Sequence, residues 1–303
     1  MAYSLLFFSL DNWSRGAIDA VKIRIAFIFI PLLALVAAVA TFSRPENKAT
    51  GVRLYTLDCG RAELKDMSMF SDTGEYDGKP GAIAVSCFVI QHPKGTLVWD
   101  TGMGDNLAEK KDGVDNGGIH MTVSVTLVDQ LKALGLAPSD VTYVAFSHFH
   151  FDHTGNANLF GNSTWILNQS ELNWALSNPT PGGVVPAVFS GYKTAKTNMI
   201  TGDFDVFGDG SVRILRTPGH TPGHQVLEIR LKKAGTVILS GDLYHLRDNL
   251  IYHRIPDFNF NRADTLASME RIDKIIKNIG ARLVVQHDLA DFQAMPKFPA
   301  YLE

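Results

Sequence analysis

The sequence predicts an α/β fold, and two sheets packed face to face under a cover of helices would fit the order of its elements. Three observations predict it. Strand-length apolar runs alternate with segments of helical period along residues 51–303. Four of those runs end in a residue type that binds metal, as strands delivering loops to one sheet edge would do. A chain of 303 residues at 46% hydrophobic content can also bury one large core, with nothing to suggest a second catalytic domain.

Taken in order, the first element stands apart from the rest. Residues 25–42 carry no charge, follow Arg15, Lys22 and Arg24, and contain the small-x-small run Ala38-Val39-Ala40. Residues 1–42 therefore read as an export signal or signal anchor ahead of one domain over 43–303. Roughly 18 apolar residues are just enough to cross a bilayer, and the long stretch from Met1 to Lys22 tilts the reading towards an anchor. Either way the basic flank stays inside. The domain is expected outside the cytoplasm, as a periplasmic or secreted protein or held at the inner membrane.

Apolar alternation then predicts strands over 52–57, 82–90 and 96–99. Between the first two, 62–81 has little periodicity but carries Met67, Met69 and Phe70. Loops of this length often act as lids; a solvated hairpin with a few apolar anchors reads equally well. Residues 122–134 space Val125, Val128, Leu131 and Leu134 as a helix, and Gly135 stops it. A buried strand follows at 141–146, then a helix over 168–176 opened by an Asn-x-x-Glu start. Further strands fall at 212–215, 236–240 and 282–286. The clearest helix is capped by Asp264, shows a stripe of Leu266, Met269, Ile272, Ile276 and Ile279, and ends at Gly280.

Charge narrows the partners. The net charge is -3 with acidic and basic residues interspersed, so no basic stripe offers itself to nucleic acid. Cys59 and Cys87 each lie beside a predicted strand. An oxidising compartment would let them pair, two buried thiols fit as well, and neither has a zinc-ligand spacing.

The chemistry concentrates in Ser147-His148-Phe149-His150-Phe151-Asp152-His153, three imidazoles and a carboxylate within six residues at a strand end. An isolated His-x-His pair is a weak signal; the full run is far more specific, because imidazole and carboxylate are the usual ligands of zinc-like ions. Later strand ends add Thr217-Pro218-Gly219-His220, Gly241-Asp242 and His287.

These motifs, with Gly219-His220-Thr221-Pro222-Gly223-His224 and Gln286-His287-Asp288, resemble the metal-binding motifs of the metallo-β-lactamase superfamily. The flanks Leu57-Asp58-Cys59-Gly60 and Trp99-Asp100-Thr101-Gly102 resemble those of the N-acyl-homoserine lactone lactonases, which open the lactone ring of bacterial quorum-sensing signals. The likeness runs over about residues 51–303. It implies a four-layer αβ/βα sandwich as a hydrolase domain over 43–303. It also implies two divalent metal ions, zinc by default although manganese, cobalt or iron suit the same ligands. His148, His150 and His220 are assigned to one ion, Asp152, His153 and His287 to the other, and Asp242 bridges them. Two such ions acidify a shared water to hydroxide near neutral pH, and Asp152 can pass its proton to the leaving oxygen. Met67, Met69 and Phe70 are expected over the acyl chain, with His120, Met121 and the 179–186 loop as further walls.

One departure matters. Many lactonases of this group carry a tyrosine three residues after the bridging aspartate, where its hydroxyl contacts the substrate carbonyl; here that position is His245, and the tyrosine is Tyr244. Adjacent residues of an extended segment point opposite ways, so His245 is expected to contact the lactone, with Tyr244 as the competitor. His224 is expected in a supporting role, and His92 and His253 as surface or packing residues. Asp100 reads either as a turn former or as the group that orients a ligand histidine.

Rivals remain on the same site: a β-lactam, phosphotriester or thioester hydrolase. An oxygen- or nitric-oxide-reducing iron protein would need a carboxylate for one of these histidines and a flavin partner, and the intact His150 and His153 oppose it. A non-catalytic metal-stabilised domain is opposed by the complete ligand set. The expected partner is a small lactone, with membrane association only through the N-terminal segment. The oligomeric state, a homodimer included, is left open.

Overall fold

The computed structural model describes residues 51–303; the expected export signal or anchor over 1–42 lies outside the described residues. The first sheet is built from β1 (Arg53–Leu64), β2 (Gly81–His92), β3 (Gly95–Trp99), β4 (Val114–Asn116), β5 (Ile119–Thr122), β6 (Tyr143–Ala145), β7 (Thr164–Asn168) and β8 (Lys196–Ile200). Its spatial order is β4-β5-β1-β2-β3-β6-β7-β8. The second comprises β9 (Phe204–Asp205), β10 (Val212–Arg216), β11 (Gln225–Leu231), β12 (Gly235–Leu239) and β13 (Arg282–Val284), in the order β13-β12-β11-β10-β9. Helices α1 (Leu127–Ala133), α2 (Phe151–Thr154) and α3 (Gln169–Ala175) follow strands of the first sheet; α4 (Arg247–Tyr252), α5 (Arg262–Ile279) and α6 (Leu289–Ala294) follow those of the second.

Alternation along each strand sends one set of side chains inward and one outward. Leu54, Phe88, Leu97 and Trp99 of the first sheet meet Ile214, Leu227, Ile229 and Leu239 of the second in a central apolar layer. The outer face of the first sheet packs on Leu127 and Leu131 of α1 and Leu172 of α3. That of the second packs on Met269 and Ile272 of α5. The layers therefore run helix, sheet, sheet, helix.

Several boundaries differ from expectation. The strand expected to end at Leu57 continues to Leu64, because Arg61–Leu64 pair with both β2 and β5 beyond a register shift at 58–61. The helix expected from Thr122 starts five residues later. Ile119–Thr122 are spent on that ladder, and Thr126 caps α1 by accepting from the Asp129 amide at 3.0 Å. Val125 and Val128 are consequently 38% and 36% exposed, and Leu127, Gln130 and Leu131 form the buried face. Asn261, not Asp264, caps α5, accepting from the Asp264 amide at 3.1 Å. Ile275 joins its buried stripe where Ile279 was expected. Cys59 and Cys87 form a disulfide between β1 and β2. The four ligand-bearing strand ends do not share one sheet: β6 lies in the first, and β10, β12 and β13 lie in the second.

Candidate metal centre

Each loop that leaves those four strands carries donors to one buried spot. His148, His150, His220 and Asp242 converge there as one group, and Asp152, His153 and His287 as another. In the first, His150 Nδ1 lies 2.8 Å from His148 Nε2 and 3.1 Å from His220 Nε2. In the second, His153 Nε2 and His287 Nε2 are 3.2 Å apart, and Asp152 Oδ2 stands 3.7 and 3.6 Å from them. Asp242 divides itself between the two. Its Oδ2 is 3.6 Å from His148 Nε2 and 3.4 Å from His220 Nε2; its Oδ1 is 3.1 Å from His153 Nε2 and 3.0 Å from His287 Nε2.

This packing fits metal ions and suits nothing else as well. Donors bound tetrahedrally at about 2.0–2.1 Å from one ion lie about 3.3 Å from each other, which is the spacing seen. Among the described residues Asp242 Oδ1 is buried with imidazole nitrogens close by but no well-formed hydrogen bond, an arrangement that a cation would complete. Burial holds His148 and His220 well below the ordinary imidazole value and brings His150 down to about 4, so their lone pairs are free near neutral pH. His153 and His287 are held above it: burial opposes their charge, but the Asp242 carboxylate outweighs it, joined by Asp152 and, at His153, Asp100.

A second ring of contacts fixes the donors. Asp100 does both things that were weighed for it. It turns the chain with φ 58°, and its Oδ2 lies 3.0 Å from His153 Nδ1 while its Oδ1 accepts from the Ser147 amide at 2.7 Å. Gln286 donates to Asp100 at 2.9 Å and accepts from the Gly241 amide at 2.8 Å. The Ala84 carbonyl lies 2.7 Å from His287 Nδ1. His224, brought down to about 3 by burial, accepts from the Asp242 amide at 2.9 Å and so places the shared carboxylate.

Glu171 was missed as a functional residue because Asn-x-x-Glu reads as a helix start. Asn168 does cap α3, but the Glu171 carboxylate is buried and accepts from the Phe149 and Gly223 amides, each at 2.9 Å. It thereby ties the His148–His150 turn to the segment between His220 and His224.

Above the donors opens a cavity of about 380 Å3, lined mostly by apolar side chains. Met69 and Phe70 line it as expected, and so do Met121 and Gly182 and Gly183 of the 179–186 loop. The 65–80 segment is pinned: Asn249 donates to the Phe70 carbonyl at 2.9 Å, and the Asp257 amide to the Met69 carbonyl at 3.0 Å.

Three expected contacts are corrected. Met67 is buried beneath the wall, against Gly81, and does not line the cavity. His120 alternates with Ile119 and Met121 on β5, so they face the cavity while it turns to Asp115 at 3.1 Å. Tyr244 points the other way from the site, its hydroxyl donating to Asp273 at 2.9 Å within the α5 layer. His245 faces the cavity; it is 2% exposed, its Nε2 is 3.0 Å from Asp242 Oδ2, and among the described residues neither ring nitrogen makes a well-formed hydrogen bond. His92 stacks on Phe207 at 4.0 Å and His253 pairs with Asp273 at 3.0 Å, both away from the centre.

Residues 80–287 match the family model of the metallo-beta-lactamase superfamily. The chain belongs to that superfamily. Within it, this superfamily member is 32% identical over 264 residues to N-acyl homoserine lactonase AttM of Azorhizobium caulinodans, across 84% of its own length and all of that protein. It is 34% identical to AttM of Agrobacterium fabrum, across 83% and all of the respective chains. Among solved structures, a quorum-quenching N-acyl homoserine lactone hydrolase superposes with a TM-score of 0.71 at 29% identity, over 82% of this chain and 97% of that one. A hydrolase of the same description with N-hexanoyl-L-homoserine bound at its catalytic metal centre gives 0.70 at 28%, over 82% and 98%.

Proposed function

We propose that this protein is a dinuclear metal-dependent hydrolase that opens the lactone ring of N-acyl-homoserine lactones. The observation that carries the proposal is Asp242, one carboxylate divided between two donor groups on the floor of an apolar cavity. The similarity to lactonases over their full length supports the substrate. His148, His150 and His220 would hold one ion and Asp152, His153 and His287 the other, with zinc the natural occupant of an imidazole-rich set.

When bound, the ions supply an acidified water and polarise the ester carbonyl. The chain does the rest. Asp152 sits at the cavity floor, partly exposed, and takes the proton of the attacking water. As the new carbon–oxygen bond forms and the ring ester bond breaks, Asp152 returns that proton to the departing alkoxide. His245, which faces the cavity, offers a ring nitrogen to the substrate oxygen. The apolar walls hold the acyl chain and keep out bulk water. The apolar segment at 25–42 supports export, with the hydrolase working outside the cytoplasm.

The test is acid release by the purified protein, its metal content recorded, from short- and long-chain acyl-homoserine lactones, a cephalosporin, a thioester and a phosphotriester. Rapid lactone opening that vanishes in Asp242→Ala is the expected result. Two bound metals with no lactone opening would move the assignment to another substrate. His245→Ala is expected to lower turnover far more than Tyr244→Phe; the reverse order would remove His245 from the reaction.

A further inference from the structure

The cavity lining is of two kinds. Trp174, Phe258 and Phe260 form an aromatic side around the first donor group, with Phe258 5.5 Å from the His220 ring and Trp174 5.8 Å from that of His150. The lining also contains an aliphatic set, Leu64, Ile83, Met103, Ile119 and Met121. An unbranched acyl chain gains most from a continuous aliphatic surface, and thioethers adapt their shape to it.

Four of those five residues are fixed by strand ladders: Leu64 pairs with Gly81 and Ile119, Ile83 and Met121 each with Ala62. Met103 is not. It sits in the loop after β3, which is held on one side by the disulfide and on the other by Gly155, whose amide donates to the Gly102 carbonyl at 2.8 Å. The Met103 amide donates to the Cys59 carbonyl at 3.3 Å. Gly102, at φ 72°, lies so close that an added Cβ would be 2.4 Å from Cys59 Cβ and 3.2 Å from Cys87 Sγ. The Met103 side chain passes over Gly60, where a Cβ would meet its sulfur at 2.8 Å. Thr101 and Asp105 are anchored independently: the Thr101 amide donates to the His153 carbonyl at 2.7 Å, its carbonyl accepts from Asn156 at 2.9 Å, and the Asp105 amide donates to Asn156 at 2.8 Å. Opening the bridge would shift the Cys59 and Cys87 side of this packing, against which Gly102 and the Met103 side chain lie, because two thiols need more room than a bonded pair.

We infer that Met103 is a specificity-determining residue for the acyl chain, and that the Cys59–Cys87 bridge is its positioning device. The inference rests on the lactonase reading for its substrate but adds a residue and a support that the reading does not contain.

The experiment measures dissociation constants of the full chain for ring-opened N-dodecanoyl- and N-butanoyl-homoserine, by calorimetry, with metal content recorded. The readout is the preference for the long over the short chain. Met103→Ala is expected to lower that preference about tenfold, and Met103→Leu, of similar volume, to restore most of it. Cys59→Ala with Cys87→Ala is expected to lower it in the same sense at unchanged metal content. Adding Met103→Ala to that pair should then cost little more, because the two act as a unit. If the paired variant does not fold, mild reduction of the folded protein with thiols counted replaces it. A preference that ignores Met103, falls further in Phe260→Ala, or is lost additively by bridge and Met103 changes overturns the inference. So does absence of long-chain binding. Long-chain binding that depends on Met103 without any lactone opening sustains this inference while defeating the lactonase assignment.

Discussion

The floor and the walls of the cavity are built by opposite rules. On the floor each donor group is held by buried partners: His153 by Asp100, His287 by the Ala84 carbonyl, and Asp242 by His224 at its amide. The walls meet the cavity through apolar side chains, and three of their residues are methionines, Met69, Met103 and Met121. The difference teaches where accuracy matters. A metal cradle fails when a donor moves by a few tenths of an ångström, whereas a methionine-rich wall tolerates exchange at similar volume.

The contrast would break most visibly at Asp242. Asp242→Ala removes the one anion common to both groups, so metal content should fall below two ions per chain by elemental analysis. Turnover should drop by more than the roughly 10–100-fold typical of an outer partner. Asp100 is such a partner, and Asp100→Ala should weaken metal binding by about 10–100-fold in competition with a chelating dye. Asp100→Asn keeps a residue that tolerates positive φ and removes only the charge. Equal losses in both variants would assign the effect to His153 orientation, and a loss confined to alanine would assign it to the turn.

Glu171 tests whether the floor depends on buried hydrogen bonds further out. Glu171→Ala leaves the Phe149 and Gly223 amides without an acceptor. Tm should fall by roughly 4–10 °C. Burial pushes the Glu171 carboxyl from its usual 4.5 up to about 7, against the hydrogen bonds it accepts. A folded value above the unfolded one means its stabilising contribution is complete below about 4.5 and fades as pH rises through about 7. Glu171→Gln should flatten that part of a stability-against-pH curve. The smallest effect is expected at His120, which turns out of the cavity to Asp115. His120→Ala should change stability by no more than about 0.5 kcal/mol and leave the KM for lactones unmoved.

The donors were legible because metal chemistry limits the residue types and the strand ends limit their spacing. Strand periodicity also separated Tyr244 from His245, since neighbours on an extended segment diverge, and the two side chains do face different layers. The same periodicity, applied to β5, turns His120 away; no strand is expected there from the sequence, which places His120 and Met121 as walls and starts the helix at Thr122. Met103, Phe258 and Phe260 lie in stretches without regular period, where nothing local says which way a side chain points. Glu171 was hidden by a pattern with two meanings, since a helix-opening carboxylate and a buried acceptor are written with the same residue.

The donors come from both halves of the sandwich. The loop after β6 in the first sheet and the short helix α2 that follows it carry His148, His150, Asp152 and His153, and the segments after β10, β12 and β13 in the second carry His220, Asp242 and His287. Each donor group draws on both sheets, so an ion there is a rivet through a seam as well as a reagent. Its binding free energy adds to the cohesion of the two half-shells, by about 2.7 kcal/mol at a hundredfold excess over its dissociation constant. Loss of metal then acts mechanically, loosening the joint along which the two sheets meet.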